Sequence, residues 1–436
     1  MNYLRRPYSL GSPKTASATN RPIEQPASRS MGQITSQRVS EKTNQVADAV
    51  RRNVFNHTAL RNRMVLQDLR YIGLVFAITR LALVVVGLVA RAAIAPHPIG
   101  KASVLSQYPW LDMWGVWDSY WYMDIVQNGY STAGRLAEFP DQTNLVFFPL
   151  YPLLMKLFSY LTGGNYFIAG LLVSNVCLLV SCYLLYLLVK LEQGRKVARH
   201  SVKYLLLFPV SFILSGLFTE SLYLCLTLLC FYLARKRQWW LAGACGAALS
   251  ATRTLGVLIV LPLAFEYMRS LRFRPKAIRW NSLFILLVPI GLAAFSYYSY
   301  RITGDFLFFK TNQAAWNREV TNPIWALLQA AGQVASEQSV KRLLEICFCL
   351  AGLGVLMRFY RALGFSYWLF GMYSILVPLS AGIASMPRFT LPIFPLYIGL
   401  ALLAGRRWRD RAITGIFCIL QAGLMLLWCT GQGLVI

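Results

Sequence analysis

Negative charge is what this chain has least of: seventeen Asp and Glu serve 436 residues, against forty-three Lys and Arg. Charged residues of both signs make up 14% of the chain, hydrophobic residues 56%, and the mean hydropathy is +0.48. A soluble globule carries roughly a quarter charged residues, so that class is excluded. Histidine is scarcer still, and His57, His97 and His200 lie too far apart to form a ligand cluster with carboxylates. The nine cysteines all fall in apolar segments, and Cys347 and Cys349 are too close for a metal knuckle, so neither a disulfide framework nor a zinc site follows. There is no Gly-rich phosphate loop and no Asp-x-Asp motif; the two carboxylates in Asp118-Ser-Tyr-Trp-Tyr-Met-Asp124 have the wrong spacing. No divalent metal or other cofactor is expected.

What the chain has instead is a series of long apolar runs, too long for a transmembrane barrel, which predict an all-α polytopic membrane bundle. The net charge of +26 would suit nucleic acid if it were gathered on one domain, but the basic residues sit in short clusters between apolar blocks. They report topology, and the bilayer rather than nucleic acid is the expected partner. Residues 1–65 are rich in Pro, Ser, Thr, Gln and Arg, without apolar periodicity, and read as a disordered cytoplasmic tail preceding a membrane domain at 66–436. Up to Arg70 the chain carries a net charge of +8, which favours the cytoplasmic side.

A first span from about Tyr71 to Ala95 then delivers an outer loop, 96–165, to the far face. Further apolar blocks lie near 145–162, 166–190, 203–217, 219–234, 239–253, 255–268, 281–301, 343–357, 364–383, 389–404 and 411–434. If 145–162, broken by Pro149 and Pro152, dips in as a re-entrant or interfacial segment and the rest cross, there are about eleven spans. Eighteen basic residues in the loops 195–203, 235–237, 269–279, 358–361 and 406–411 then all become cytoplasmic. The outer face receives nine of the seventeen acids: Asp112, Asp118, Asp124, Glu138, Asp141, Glu220, Asp305, Glu319 and Glu337.

On that face the costly polar residues converge. Ionisable groups beside an apolar phase mark a site more often than a surface. Asp118 is the candidate general base, with capping of a short helix as the plain alternative. Asp124 is a sugar-binding candidate or a solvated carboxylate, and Glu220 is a substrate ligand or a helix cap. Arg253 and Arg388 are phosphate ligands, against a structural pairing of Arg253 with Glu220 and headgroup snorkelling by Arg388. Arg80, ten residues into the first span, is placed against a carboxylate or a lipid phosphate. Trp114, Trp117, Tyr120, Trp121 and Tyr122 read as an interfacial belt or as rings that stack on a sugar. Lys310 and Trp316 stand at the entrance for an acceptor or in a solvated loop.

Five motifs in order carry a resemblance: Trp117-Asp118 with Gly129-Tyr130; Phe147-Phe148-Pro149-Leu150-Tyr151-Pro152; Phe208-Pro209 with Thr219-Glu220-Ser221-Leu222; Thr252-Arg253-Thr254-Leu255-Gly256; and Met386-Pro387-Arg388-Phe389. Over residues 75–405 the chain resembles the PIG-V-type mannosyltransferases of the GT-C class of membrane glycosyltransferases, in a bacterial form. The resemblance implies inverting transfer of a sugar, mannose in the eukaryotic members, from a polyprenyl-phosphate donor to a lipid or glycan acceptor outside the cytoplasm. It makes Asp118 the base and gives Arg253 and Arg388 the donor phosphate, with no metal required. The chain departs from the pattern around Asp141 to Leu145, and its basic tail has no counterpart. The expected location is a bacterial cytoplasmic membrane with the site facing outward, an ER membrane being the alternative. The rival readings are a transporter or flippase of lipid-linked sugars, against which stand the absence of an inverted repeat and the one-sided placement of polar groups, and a scaffold acting through its tail.

Overall fold

The computed structural model describes residues 64–94, 105–106, 108–134, 141–316, 318 and 320–434. The chain divides into two compact units, Met1–Gln67 and Asp68–Ile436. Of the first only residues 64–67 are described, so the expected tail lies outside the described residues, as do Glu138, Glu319, His57 and His97. The second unit carries the fold and the candidate site.

Among the described residues the chain is helical and contains no strand. The helices are α1 (Met64–Ala93), α2 (Pro109–Asp112), α3 (Ser119–Asn128), α4 (Leu150–Ser159), α5 (Tyr166–Leu207), α6 (Glu220–Arg235), α7 (Trp239–Ser250), α8 (Val260–Ser270), α9 (Ile290–Thr303), α10 (Phe308–Thr311), α11 (Pro323–Glu337), α12 (Val340–Arg358), α13 (Tyr360–Leu363), α14 (Phe365–Leu379), α15 (Met386–Thr390), α16 (Phe394–Leu403) and α17 (Arg407–Cys429). Along α1, Leu74, Ile78, Leu81, Val85 and Val89 recur at helical spacing and each is between 57% and 65% exposed. A continuous apolar stripe of that kind is stable against lipid and not against water. This is a membrane protein.

Among the described residues, length and composition qualify four helical stretches to cross a bilayer, Met64–Ala93, Tyr166–Leu207, Trp280–Thr303 and Arg407–Cys429, which does not confirm the eleven expected. Several of the remaining apolar blocks are interrupted. Phe208-Pro209 and the 3₁₀ segment Ser211–Ser215 separate α5 from α6, the 3₁₀ segment Thr254–Ile259 separates α7 from α8, and α4, α14 and α16 have only ten to fifteen residues each. The ten residues of α4 rise about 15 Å, half the thickness of a hydrocarbon core.

The 42 residues of α5 are two helical arms joined at Gly194, whose φ of 84° and ψ of 171° belong to glycine almost alone. A straight helix would separate residues 175 and 207 by about 48 Å. Instead Asn175 Nδ2 donates to Ser215 O at 3.2 Å, so the chain doubles back. The Asp68 carboxylate locks the turn by accepting from Lys190 on the first arm (3.2 Å) and from Arg195 (2.7 Å) and Arg199 (2.8 Å) on the second. The basic stretch 195–203, expected as a loop, is therefore helical, and one glycine makes the whole turn.

Arg80 corrects another expectation. Among the described residues its guanidinium meets no carboxylate. It donates to Leu206 O (2.7 Å), Ser211 O (3.0 Å), Ser211 Oγ (3.1 Å) and Ser215 Oγ (3.2 Å). Leu206 O is a carbonyl freed where the second arm ends before Pro209, the other acceptors belong to the 3₁₀ segment that follows, and a buried cation with several donors joins the two.

Replacing Gly194 with Ala should destabilise the fold by about 1–3 kcal/mol, because a Cβ is strained in that backbone conformation. Gly73→Ala, in a helix with nothing within 4 Å of an added Cβ, is the control expected to have no such cost. Comparing unfolding midpoints of both variants in detergent checks this; equal midpoints would mean the turn does not depend on glycine.

Candidate active site

The short segment before α3 places Asp118. Trp117 has a left-handed backbone (φ 58°), unusual for a bulky residue and of the kind held only by its surroundings. Asp118 occupies the cap position of α3, yet its side chain makes no capping bond. Oδ2 instead accepts from Arg388 Nη1. Oδ1 has no hydrogen-bond partner among the described residues, and the side chain is 18% exposed.

Arg388 is delivered by α15, which starts from Ser385, also left-handed (φ 66°), with Pro387 in its first turn. Ser385 is fixed by donating its N–H to Glu345 Oε1 at 3.0 Å. From there Arg388 reaches two carboxylates, donating through Nη1 to Asp118 and through Nε to Glu220 Oε1. Glu220 opens α6, where the helix dipole favours negative charge, and its carboxylate is fully buried. The same Oε1 accepts from Arg253 Nη1 at 2.8 Å. Asp118, Arg388, Glu220 and Arg253 thus form one continuous chain of charges drawn from four separate elements.

Asp118, Arg253 and Arg388 line a cavity of about 640 Å³. Glu220 does not; it grips the two arginines from behind, so the pairing of Arg253 with Glu220 and a place for Arg253 on the cavity wall hold together. Asp124 is elsewhere. It is buried, accepts from Asn128 Nδ2 (2.9 Å) and Asn144 Nδ2 (2.7 Å), and is absent from the cavity wall. Through Asn144, which also donates to Gly129 O (3.0 Å) and accepts from Ser131 N (2.9 Å), it fastens the segment that follows α3. Asp305 closes its own turn by accepting from Leu307 N and Thr311 Oγ1. Of the ring cluster only Tyr122 lines the cavity; Trp114 packs on Trp428, and Trp121 on Phe147 and Trp316, as buried core rather than as an interfacial belt. Trp316 lines the cavity and Lys310 does not.

Sequence reasoning missed Arg318. Its guanidinium lies 5.2 Å from the Phe389 ring, as does that of Arg253 at 5.3 Å, and among the described residues it has no carboxylate within 4 Å. Burial, reinforced by Arg388 and Arg253 and opposed by Asp118, lowers its pKa to about 10, so it remains a cation at neutral pH. In sequence it stands beside Glu319 in a polar loop, where an arginine reads as a solvated partner.

No family model matches this chain, and no curated protein matches it. Among solved structures it is similar to ArnT from Cupriavidus metallidurans bound to undecaprenyl phosphate, at 13% identity and a TM-score of 0.45, over 82% of this chain and 76% of that one. It is also similar to two oligosaccharyltransferase structures from Archaeoglobus fulgidus. One is tethered with an acceptor peptide containing the NVT sequon (10% identity, TM-score 0.38); the other, AglB, is in complex with an inhibitory peptide and a dolichol-phosphate (14%, 0.37). The matches cover 81% of this chain in both cases, and 55% and 56% of those chains. The reading of the site rests on its own residues.

Four cations, Arg253, Arg318, Lys341 and Arg388, line the cavity, against Asp118 on the wall and Glu220 behind it. Basic side chains outnumber carboxylates on the described wall of this partly dry space, where electrostatic interactions are stronger than in water. That arrangement suits an anion carrying one or two charges beside a carboxylate with a free oxygen. Thr219 and Thr252 add neutral polar groups, and Leu255, Val257, Leu258 and Val377 an apolar wall.

Glu220→Gln should cost roughly 3–5 kcal/mol of stability, because it removes the negative charge held between two buried arginines. Asp118→Asn, whose side chain is partly exposed, should cost distinctly less. Unfolding of the two variants in mild detergent decides this; equal losses would argue against Glu220 as the anchor of the cluster.

Proposed function

We propose that this chain is a GT-C-type membrane glycosyltransferase. It moves a sugar, mannose by the motif resemblance, from polyprenyl phosphate to a hydroxyl of a lipid or glycan acceptor on the non-cytoplasmic face. The observation that carries the reading is the pairing, in one cavity, of a partly exposed carboxylate having a free oxygen with an excess of cations.

In the proposed reaction Asp118 Oδ1 takes the proton of the acceptor hydroxyl as its oxygen attacks the anomeric carbon. The new glycosidic bond forms while the bond from that carbon to the phosphate oxygen breaks, with inversion. The departing polyprenyl phosphate gains a second negative charge. Arg253, Arg318, Arg388 and Lys341 stabilise that growing charge more than they stabilise the bound donor, which is what lowers the barrier. Glu220, fully buried, cannot meet an acceptor, so the base role falls to Asp118 and Glu220 orients the arginines. Because Arg388 holds Oδ2, the free oxygen of Asp118 is pre-set without a search through rotamers. An apolar wall beside a cationic head position fits a phosphate that stays attached to a lipid.

The test is transfer of labelled sugar from polyprenyl-phosphate mannose to a membrane glycolipid fraction, with purified protein in bilayers. Asp118→Asn should lower the rate by about 10²- to 10⁴-fold while leaving donor binding nearly unchanged. Wild-type transfer by a correctly inserted Asp118→Asn variant would remove Asp118 as the base. Donor carried intact across the bilayer without being consumed would identify a flippase of lipid-linked sugars instead.

A further inference from the structure

One group of buried atoms lies beyond the charge cluster and has no part in the chemistry above. Tyr223 on α6 and Ser374 on α14 both line the cavity, at 1% and 2% exposure, and among the described residues neither the Tyr223 hydroxyl nor Ser374 Oγ has a hydrogen-bond partner. The indole N–H of Trp316, also on the cavity wall, is buried and unpaired as well. Buried hydroxyls are almost always paired, and an unpaired one is destabilising, so several on the wall of one cavity call for a partner that the chain itself does not supply.

The chemistry of that partner follows from the groups. They are neutral, two of them both donate and accept, and they are set among apolar residues, so they match an uncharged, oxygen-rich group rather than an anion. Their placement follows from helix geometry. Tyr223 is three residues after Glu220 on α6, so it lies on the same face and about 4.5 Å further along the axis. The neutral groups therefore begin one helical turn from the arginines that Glu220 holds, a separation on the scale of a sugar ring joined to a phosphate.

We propose that Tyr223 and Ser374, with the indole of Trp316, form a carbohydrate subsite that holds hydroxyls of the donor's sugar while the arginines hold its phosphate. This rests on the proposed function above and assigns sugar recognition to residues outside the catalytic charge chain. Tyr223 and Ser374 are binding residues, and their removal should alter affinity for the glycosyl part of the donor and leave affinity for the lipid phosphate alone.

Binding to the purified protein in nanodiscs separates the possibilities. The probes are sugar-free polyprenyl phosphate and polyprenyl phosphate carrying mannose, glucose or galactose. Wild type should bind at least one glycosylated lipid more tightly than the sugar-free one. Tyr223→Phe and Ser374→Ala should each weaken that lipid about fivefold, and change sugar-free binding by less than twofold. Arg318→Gln should weaken glycosylated and sugar-free lipids alike. Equal wild-type binding of all four lipids, or hydroxyl variants that change nothing or weaken every lipid equally, would overturn the subsite while leaving the glycosyltransferase reading standing; the hydroxyls would then serve water alone. Failure of wild type to bind any of the lipids would overturn that reading and the subsite together.

Discussion

Arg388 is the residue on which the rest of the site depends. Its guanidinium joins the only two carboxylates of the cluster, and through Glu220 it fixes Arg253, so one planar side chain sets the positions of three others. A lysine could not replace it, since a single ammonium lacks the fork that reaches two carboxylates at once. The buried charges are not a source of stability in themselves, because desolvation offsets most of their attraction. Removing one member would leave an uncompensated charge, Glu220 being fully buried and Arg388 nearly so.

Several features outside the cluster serve that meeting. Left-handed Trp117 and Ser385 stand just before the two ends of the Asp118–Arg388 pair, where the chain must turn sharply to aim both side chains inward. Asp124, Asn128 and Asn144 tie α3 to the segment that follows it. Arg80 completes the interrupted end of the second α5 arm, after which the chain runs through Phe218 to Glu220; the Phe218 ring lies 4.8 Å from the Arg388 guanidinium. Phe389 supports two more guanidiniums that would otherwise repel each other. The cavity is thus a cationic space whose arginine side chains are each held by contacts within the chain.

Much of this was legible in the sequence because charge beside apolar runs is expensive and therefore conspicuous. Asp118, Glu220, Arg253 and Arg388 stood out on that ground, and the structure brings all four together. The same signal misplaced Arg80 and Asp124, since sequence shows that a buried charge needs partners but not whether they are carbonyls, amides or a ligand. Arg318 was hidden for the opposite reason: in a polar loop its charge carries no apparent cost. The span pattern was legible only as apolar blocks. Whether a block becomes one crossing, a short helix or half of a hairpin depends on Gly194, Pro209 and the 3₁₀ segments, whose effect is decided by packing.

The charge chain also has a history within the life of each molecule. Glu220 is made 168 residues before Arg388, and Asp118 is made 270 residues before it. At about 5–20 residues per second, Glu220 waits roughly ten to thirty seconds for that arginine. Arg253 follows after only 33 residues, so of the two arginines it is the first that synthesis makes available to Glu220. Arg388 then arrives at a carboxylate already half neutralised and closes the circuit to Asp118. The order of residues along the chain is an assembly schedule, in which the Asp118 carboxylate is the last of the two to be paired.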